Sequence, residues 1–388
     1  MKNSQVLLIL IILLFPLTGC KKETPAPVQE NTIQRNYTEQ ENLLRIKIVD
    51  NEFTVNGNKL WINGANAPWH HWNEFGNTTE WNAYDDRWWD RHFAELKEAG
   101  INAARVWINC NNDNLTIDID RDGTVYGVSG AHWNDLDLFF KTVEKNQIYI
   151  MATLLSFDHF KNTGNRPAAQ NWRNMLTNKE SAATFVENYT MPFVERYRDN
   201  PWLWSIDLIN EPDWIFENEE CGKIPWENIS YFIAINAAAI HENSNILVTV
   251  GMAFPKYNSD FSGYEGNKIS DAFLQQLYPN ENAYVDFWSP HYYDWVGQWF
   301  GVPFYLQPYG RRPDGWGLHN TKPAVIGEVS ALGTAGNTLL DDYKFAFRNG
   351  WHGIMPWTSN GVDEHGSLHD FMETSHYMLE HHGEFIFP

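Results

Sequence analysis

Two segments of the 388-residue chain place chemistry-bearing side chains at the ends of apolar runs. One is Asp207-Leu208-Ile209-Asn210-Glu211-Pro212 and the other is Ala324-Val325-Ile326-Gly327-Glu328. A short, continuous hydrophobic run suits a strand buried on both faces of a parallel sheet. Pro212 cannot donate to a sheet ladder, so it stops the first run. Two carboxyls presented at strand ends to one cleft can divide the work of cleaving a glycosidic bond. One carries a proton for the leaving oxygen; the other is ionised and attacks the anomeric carbon. A gap of ~5–5.5 Å between them gives retention of configuration, and a wider gap gives inversion.

The rest of the chain supplies elements able to hold such ends together. Apolar runs at Leu60–Asn66, Ile101–Ile108, Ile148–Leu155, Trp204–Asn210, Ile246–Val250, Val285–His291, Ala324–Glu328 and Gly353–Trp357 read as eight strands. Amphipathic stretches at Asp86–Ala99, Trp133–Glu144, Ser181–Tyr197, Trp226–Ile240, Asp271–Leu277 and Thr338–Asn349 read as helices between them. Phe53–Leu60, with Asn56-Gly57-Asn58 at its turn, reads as a preceding hairpin. The alternation predicts an α/β fold: a closed (β/α)8 TIM barrel, one domain over residues 43–388. The long stretches Asn109–Gly130, Phe157–Thr177, Asp213–Pro225, Gly251–Ser270 and Asp294–Thr321 mostly follow strands. They are expected as extended loops on the C-terminal face, where barrel enzymes keep their sites.

On these residues the chain resembles the family 5 glycoside hydrolases, retaining (β/α)8 enzymes. Asn210-Glu211-Pro212 is similar to the family's acid/base motif, and Glu328 to its nucleophile. Arg105 matches the strand-two arginine that pairs with the nucleophile, His291 and Tyr293 the strand-six His-x-Tyr, and Trp357 the strand-eight tryptophan under the attacked sugar. The resemblance implies that Arg105 keeps Glu328 ionised, Tyr293 orients it, His291 helps Glu211 cycle its proton, and Asn210 binds the sugar 2-hydroxyl. His159, after the third strand, is a further candidate where family members carry a histidine. Asn63-Gly64-Ala65-Asn66 with Trp69 resembles the mannan-degrading branches. The implied activity is a retaining endo-hydrolase of β-1,4-linked polysaccharide, with β-mannan first. A β-1,4-glucanase, an exo-acting glycosidase and a non-catalytic glycan-binding protein are the alternatives. No cofactor is implied, because two carboxylates suffice.

Composition agrees with a neutral sugar ligand. There are 19 Trp and 17 Tyr, whose flat faces can stack on sugar rings, with Trp69 and Trp295 the first candidates. A net charge of −21 argues against nucleic acid. Residues 1–20 read as a signal peptide: Lys2, an apolar Val6–Phe15, and Leu17-Thr18-Gly19-Cys20, which resembles a lipobox with Cys20 lipidated. Residues 21–42 read as a polar tether. A lipid-anchored, exported monomer is expected, at the outer membrane because Lys21 follows Cys20. Cys110 and Cys221 could form a disulfide or remain thiols. Asp118-x-Asp120-x-Asp122-Gly123 looks like the start of a calcium loop, but Ser129 occupies the position of the bidentate glutamate. A β-hairpin is the expected form of that segment, and no metal site is expected.

Overall fold

The computed structural model describes residues 37–38, 43–111, 116–162, 168–253, 255–261, 265–295, 310–334, 336–363 and 365–387. Cys20, the expected leader and nearly all of the expected tether lie outside the described residues.

Eight parallel strands form the centre: Ile62–Asn66 (strand one), Ala103–Trp107 (two), Tyr149–Thr153 (three), Leu203–Asp207 (four), Leu247–Thr249 continuing as Gly251–Met252 (five), Ser289–Tyr292 (six), Val325–Ser330 (seven) and Gly353–Trp357 (eight). The two halves of strand five lie at opposite ends of the pairing order. Leu247–Thr249 pairs with strand four, and Gly251–Met252 pairs with strand six. The order therefore returns to its start and the sheet is a closed (β/α)8 barrel.

The helices follow from local sequence. Asp85 caps the helix Asp86–Glu98, accepting from the amides of Arg87 at 3.0 Å and Trp88 at 3.3 Å. Trp89 and Phe93, one turn apart, both meet Phe139 of the helix Gly130–Asn146 edge-on. Gly100, at φ +85°, turns the chain into strand two.

Several elements differ from expectation. The helix expected over Ser181–Tyr197 is Lys179–Phe185, a wider π turn Val186–Thr190, and Met191–Tyr197. Pro192 cannot donate to the carbonyl of Asn188, and the helix widens in that turn. Strand six is Ser289–Tyr292, shorter than Val285–His291; at Asp286 the backbone amide reaches Val248 O at 2.7 Å, and the Val248 amide goes to the Asp286 carboxylate at 2.6 Å. The stretch Phe157–Thr177 contains a helix, Ala168–Thr177, held by buried Trp172, Met175 and Leu176. The C-terminal helix Leu368–Ile386 has no counterpart among the expected elements; it buries Phe371, Thr374 and Met378.

The N-terminal mouth is plugged. Lys47–Val49, Glu52–Val55 and Asn58–Lys59 form an antiparallel three-stranded sheet. Its Phe53, fully buried, meets Trp204 and Phe287 edge-on at centroid distances of 5.5 and 5.4 Å. Phe53 belongs to the same apolar cluster as Ile62, Ala103, Met151, Val325 and Met355. Along strand two, Ala103 lies in this lower layer, and the two-residue period carries Arg105 into the layer above. The polar chemistry thus begins where the apolar plug ends.

Phe53→Ala should lower unfolding free energy by about 3–5 kcal/mol, read from denaturant midpoints. The rate per folded molecule should not change, because the plug sits at the mouth away from the strand ends. A folded variant with unchanged stability, or with lost activity, would contradict this layering.

Candidate active site

The layer above the plug is built around one cation. Arg105 is fully buried. Its Nε and Nη2 donate to Asp207 Oδ2 at 3.0 and 2.7 Å, and Nη2 also donates to Asn210 Oδ1 at 2.6 Å. Its Nη1 donates to Asn66 Oδ1 at 3.0 Å and to Glu328 Oε1 at 2.6 Å. Burial opposes the guanidinium charge, but Asp207 and Glu328 outweigh it and hold the pKa above the usual arginine value.

Glu328 ends the inward face of strand seven. Besides Arg105, it accepts the Tyr293 hydroxyl on Oε2 at 2.9 Å. Glu211 sits just past strand four at φ +49°, a left-handed conformation that turns its side chain back over the barrel mouth. The turn is pinned at both ends: the Glu211 amide donates to Gly251 O at 2.7 Å, and the Trp214 amide to Glu211 O at 3.1 Å. The Trp214 indole N–H donates to Glu211 Oε2 at 3.1 Å. His291 Nδ1 lies between the two acids, 3.0 Å from Glu211 Oε1 and 3.5 Å from Glu328 Oε1.

Two glycines make room for that imidazole. A Cβ on Gly251 would stand 2.7 Å from His291 Nε2, and one on Gly327 would stand 2.9 Å from it. Strands five and seven must both lack a side chain there for the ring to reach the carboxyls.

Burial raises the pKa of both acids, and their donors split them. Burial pushes Glu211 up to about 7, against the pull of Arg105 and of the Trp214 N–H and with a push from Asp207. Burial also raises Glu328, against His291, Arg105 and the Tyr293 hydroxyl. Glu328 has the guanidinium in direct contact and Glu211 does not, so the shared proton resides on Glu211. Burial lowers His291 to about 4, so it is a neutral ring. One ligand atom each from Glu211, His291 and Glu328 lie within 4.8 Å of one another. That spacing suits double displacement with retention. The same trio is the one group found, among the described residues, that could offer a cation three ligand atoms. The Arg105 guanidinium already occupies the charge of Glu328 there.

Aromatic rings surround the pair. Trp357 is almost buried, and its indole N–H donates to Asp363 Oδ2 at 3.0 Å. Trp69 meets Trp357, Trp72 and Trp107 edge-on or nearly so, with centroids at 5.9, 4.5 and 5.2 Å. Trp295 is 45 % exposed and parallel to Trp214 at 5.9 Å and to Tyr293 at 6.3 Å. The structure thus brings together Arg105, Asn210, Glu211, His291, Tyr293, Glu328 and Trp357, with Trp69 and Trp295 against them.

His159 is not in this group. Its turn, Phe157–His159, folds the ring back so that Nδ1 meets the Ser156 carbonyl at 3.0 Å, and the ring packs edge-on against Trp172. It is fully buried and caps its own turn. Cys110 and Cys221 are both buried and are not joined in a disulfide. Burial pushes the Cys221 thiol up to about 12. Asp120 holds a hairpin turn, accepting from the amides of Asp122 and Thr124 and from the Tyr126 hydroxyl. That is the β-hairpin expected of the segment, Ile117–Ile119 paired with Val125–Val128.

Asp207 and Asn66 stand in the expected strands, but their sequence context assigns them no role. The signal for Asp207 is present all the same: an acid inside an apolar strand needs a buried partner. The positions of Gly251 and Gly327 carry no signal until the imidazole is in place.

Activity should be bell-shaped in pH. Glu211 must keep its proton, so kcat/KM falls as pH rises through about 7. Glu328 must lose its proton, so the rate also falls as pH drops through a value above the usual glutamate range. A rate that stays flat well above pH 7, measured on initial velocities, would remove Glu211 from the acid role.

No family model matches the chain. A mannan endo-1,4-beta-mannosidase of Cryptopygus antarcticus is 24 % identical over 81 % of this chain and 84 % of its own. One of Mytilus edulis is 22 % identical over 84 % of this chain and 90 % of its own. Among solved structures, the beta-1,4-mannanase of the sea hare Aplysia kurodai superposes with a TM-score of 0.75, at 23 % identity, over 89 % of this chain and 99 % of that one.

Proposed function

We propose that the protein is a retaining endo-β-1,4-mannanase. The observation that carries the reading is the asymmetric carboxyl pair: Glu328 in direct contact with Arg105, and Glu211 raised to about 7 and within reach of it. The substrate class is supported by the mannanases to which nearly the whole barrel is similar.

In the first step Glu328 Oε attacks the anomeric carbon, and Glu211 gives its proton to the leaving glycosidic oxygen. A glycosyl ester forms on Glu328 while the C–O bond breaks. In the second step Glu211, now ionised, takes a proton from water, whose oxygen displaces the ester. Each residue has a geometric reason for its role. Tyr293 and Arg105 fix the two oxygens of Glu328 in different directions. The carbonyl of Asn210 is committed to Arg105, which can only donate, and this leaves its amide N–H groups to donate to a sugar hydroxyl. His291 is neutral and faces both acids, so it can hand a hydrogen bond from one to the other as the charge moves. Trp357, at the end of strand eight and packed against Trp69 and Trp107, is suited to floor the attacked sugar. We propose further that Cys20 is lipidated and that the protein works exported and anchored at the outer membrane, on the strength of the lipobox-like Leu17-Thr18-Gly19-Cys20 followed by Lys21.

Reducing-end release from galactomannan, glucomannan, cellulose, mixed-linkage glucan and xylan tests the reading. The mannans should be cut to short oligosaccharides. Glu328→Gln should lower the rate by roughly 10⁴-fold or more, as for a group that acts within a catalytic unit. Preferential release from cellulose, or release from mannan that survives in Glu328→Gln, would overturn it.

A further inference from the structure

Strand four carries a second buried acid that the reaction does not consume. Asp207, four residues before Glu211, is fully buried. Taking a carboxylate from water is costly unless it is paired and hydrogen-bonded, and Asp207 is fully engaged. Its Oδ2 accepts Arg105 Nε and Nη2 at 3.0 and 2.7 Å and the Thr153 hydroxyl at 3.2 Å. Its Oδ1 accepts the Gly251 amide at 2.9 Å. The anchor is thus tied to strands three and five on either side of its own.

The geometry divides the guanidinium into two ends. Nε and Nη2 are held on strand four by Asp207 and Asn210, so the plane of the group cannot turn. Nη1 alone faces the other way, to Asn66 on the neighbouring strand one and across the barrel to Glu328 on strand seven. A planar fork gripped on one edge presents its far edge in a single orientation.

The charge matters as well. An uncompensated cation between two carboxyls favours ionising both, and double displacement needs one of them protonated. The groups that face Glu211 are Arg105 from strand two, Asp158 beyond strand three, Asp207 on its own strand, Asp213 in its own turn, His291 and Tyr293 from the end of strand six, and Glu328 from strand seven. Arg105 is the cation among them, and Asp207 is the carboxylate bonded to its side away from the nucleophile. At Glu211 the pair acts largely as a dipole. At Glu328 the direct hydrogen bond remains.

We propose that Asp207 is a positioning residue of the reaction, clamping Arg105 so that Nη1 alone reaches the nucleophile and offsetting its charge at the acid/base. This rests on the roles proposed above for Glu211 and Glu328.

Asp207→Asn and Asp207→Glu, made in the full chain, test it through the pH profile of kcat and KM on soluble galactomannan. Asp207→Asn removes the negative charge, so the proton on Glu211 is held less tightly. The alkaline limb should move to lower pH, and kcat should fall on the order of 10²-fold while KM changes little, as for a misplacement of about 1 Å in a catalytic group. Asp207→Glu keeps the charge, so its alkaline limb should stay in place while kcat falls. A folded Asp207→Asn variant with the wild-type limb, or with a loss uniform in pH, overturns the proposal. So does failure of both variants to fold, which would make Asp207 a folding residue. A wild-type protein inactive on every mannan would instead sink the proposed function itself.

Discussion

The structure depends on a buried guanidinium. Arg105 sits at the level where the apolar plug gives way to the open mouth, and it is bonded to side chains from strands one, four and seven. A cation in that position is tolerable only if each of its donors finds an acceptor, so the barrel must close with those strand ends in register around it. Placing Arg105 correctly therefore places Asn66, Asp207, Asn210 and Glu328 as well. The same contacts that satisfy the buried charge bring Glu328 and the residues around it together.

A second constraint follows from burial itself. Both carboxyls are raised by the same cause, and left alone they would be hard to tell apart. The strands break the symmetry. Glu328 projects straight from strand seven into Arg105 and Tyr293, two donors that favour its ionised form. Glu211 stands one turn beyond strand four, where its carboxyl meets a neutral imidazole and an indole N–H. The proton settles on the acid with the weaker donors. The ring between them fits because Gly251 and Gly327 supply no side chain on their strands.

Much of this is legible in the sequence, for identifiable reasons. Strands one to five, seven and eight are readable because a strand buried on both faces is a continuous apolar run, and the helix Asp86–Glu98 because Asp85 and Gly100 punctuate it. The helix Ala168–Thr177 is hidden in a polar loop, since only its inward face is apolar. The C-terminal helix is hidden by its run of polar residues and histidines, of which His369 and His381 are exposed, while Phe371 and Met378 are buried. Of the site, the residues at strand ends are legible from type and position, and Trp295 falls beside them as expected. His159 is not legible: whether a histidine after strand three turns inward is decided by a three-residue turn and its Ser156 cap. The link from Asp207 to Arg105 spans 102 residues and is visible only once the barrel is closed.

If Glu211 and Glu328 act as proposed, Glu328 forms a covalent glycosyl ester, which water then opens on the face the leaving group left. Proton NMR of the first-formed products from a β-1,4-mannooligosaccharide, recorded before mutarotation, tests it most directly. The new reducing end should appear first as the β-anomer, with the α-anomer growing in afterwards. An α-anomer appearing first would mean that water attacks directly, and neither Glu328 as nucleophile nor Arg105 as its partner in that step would stand.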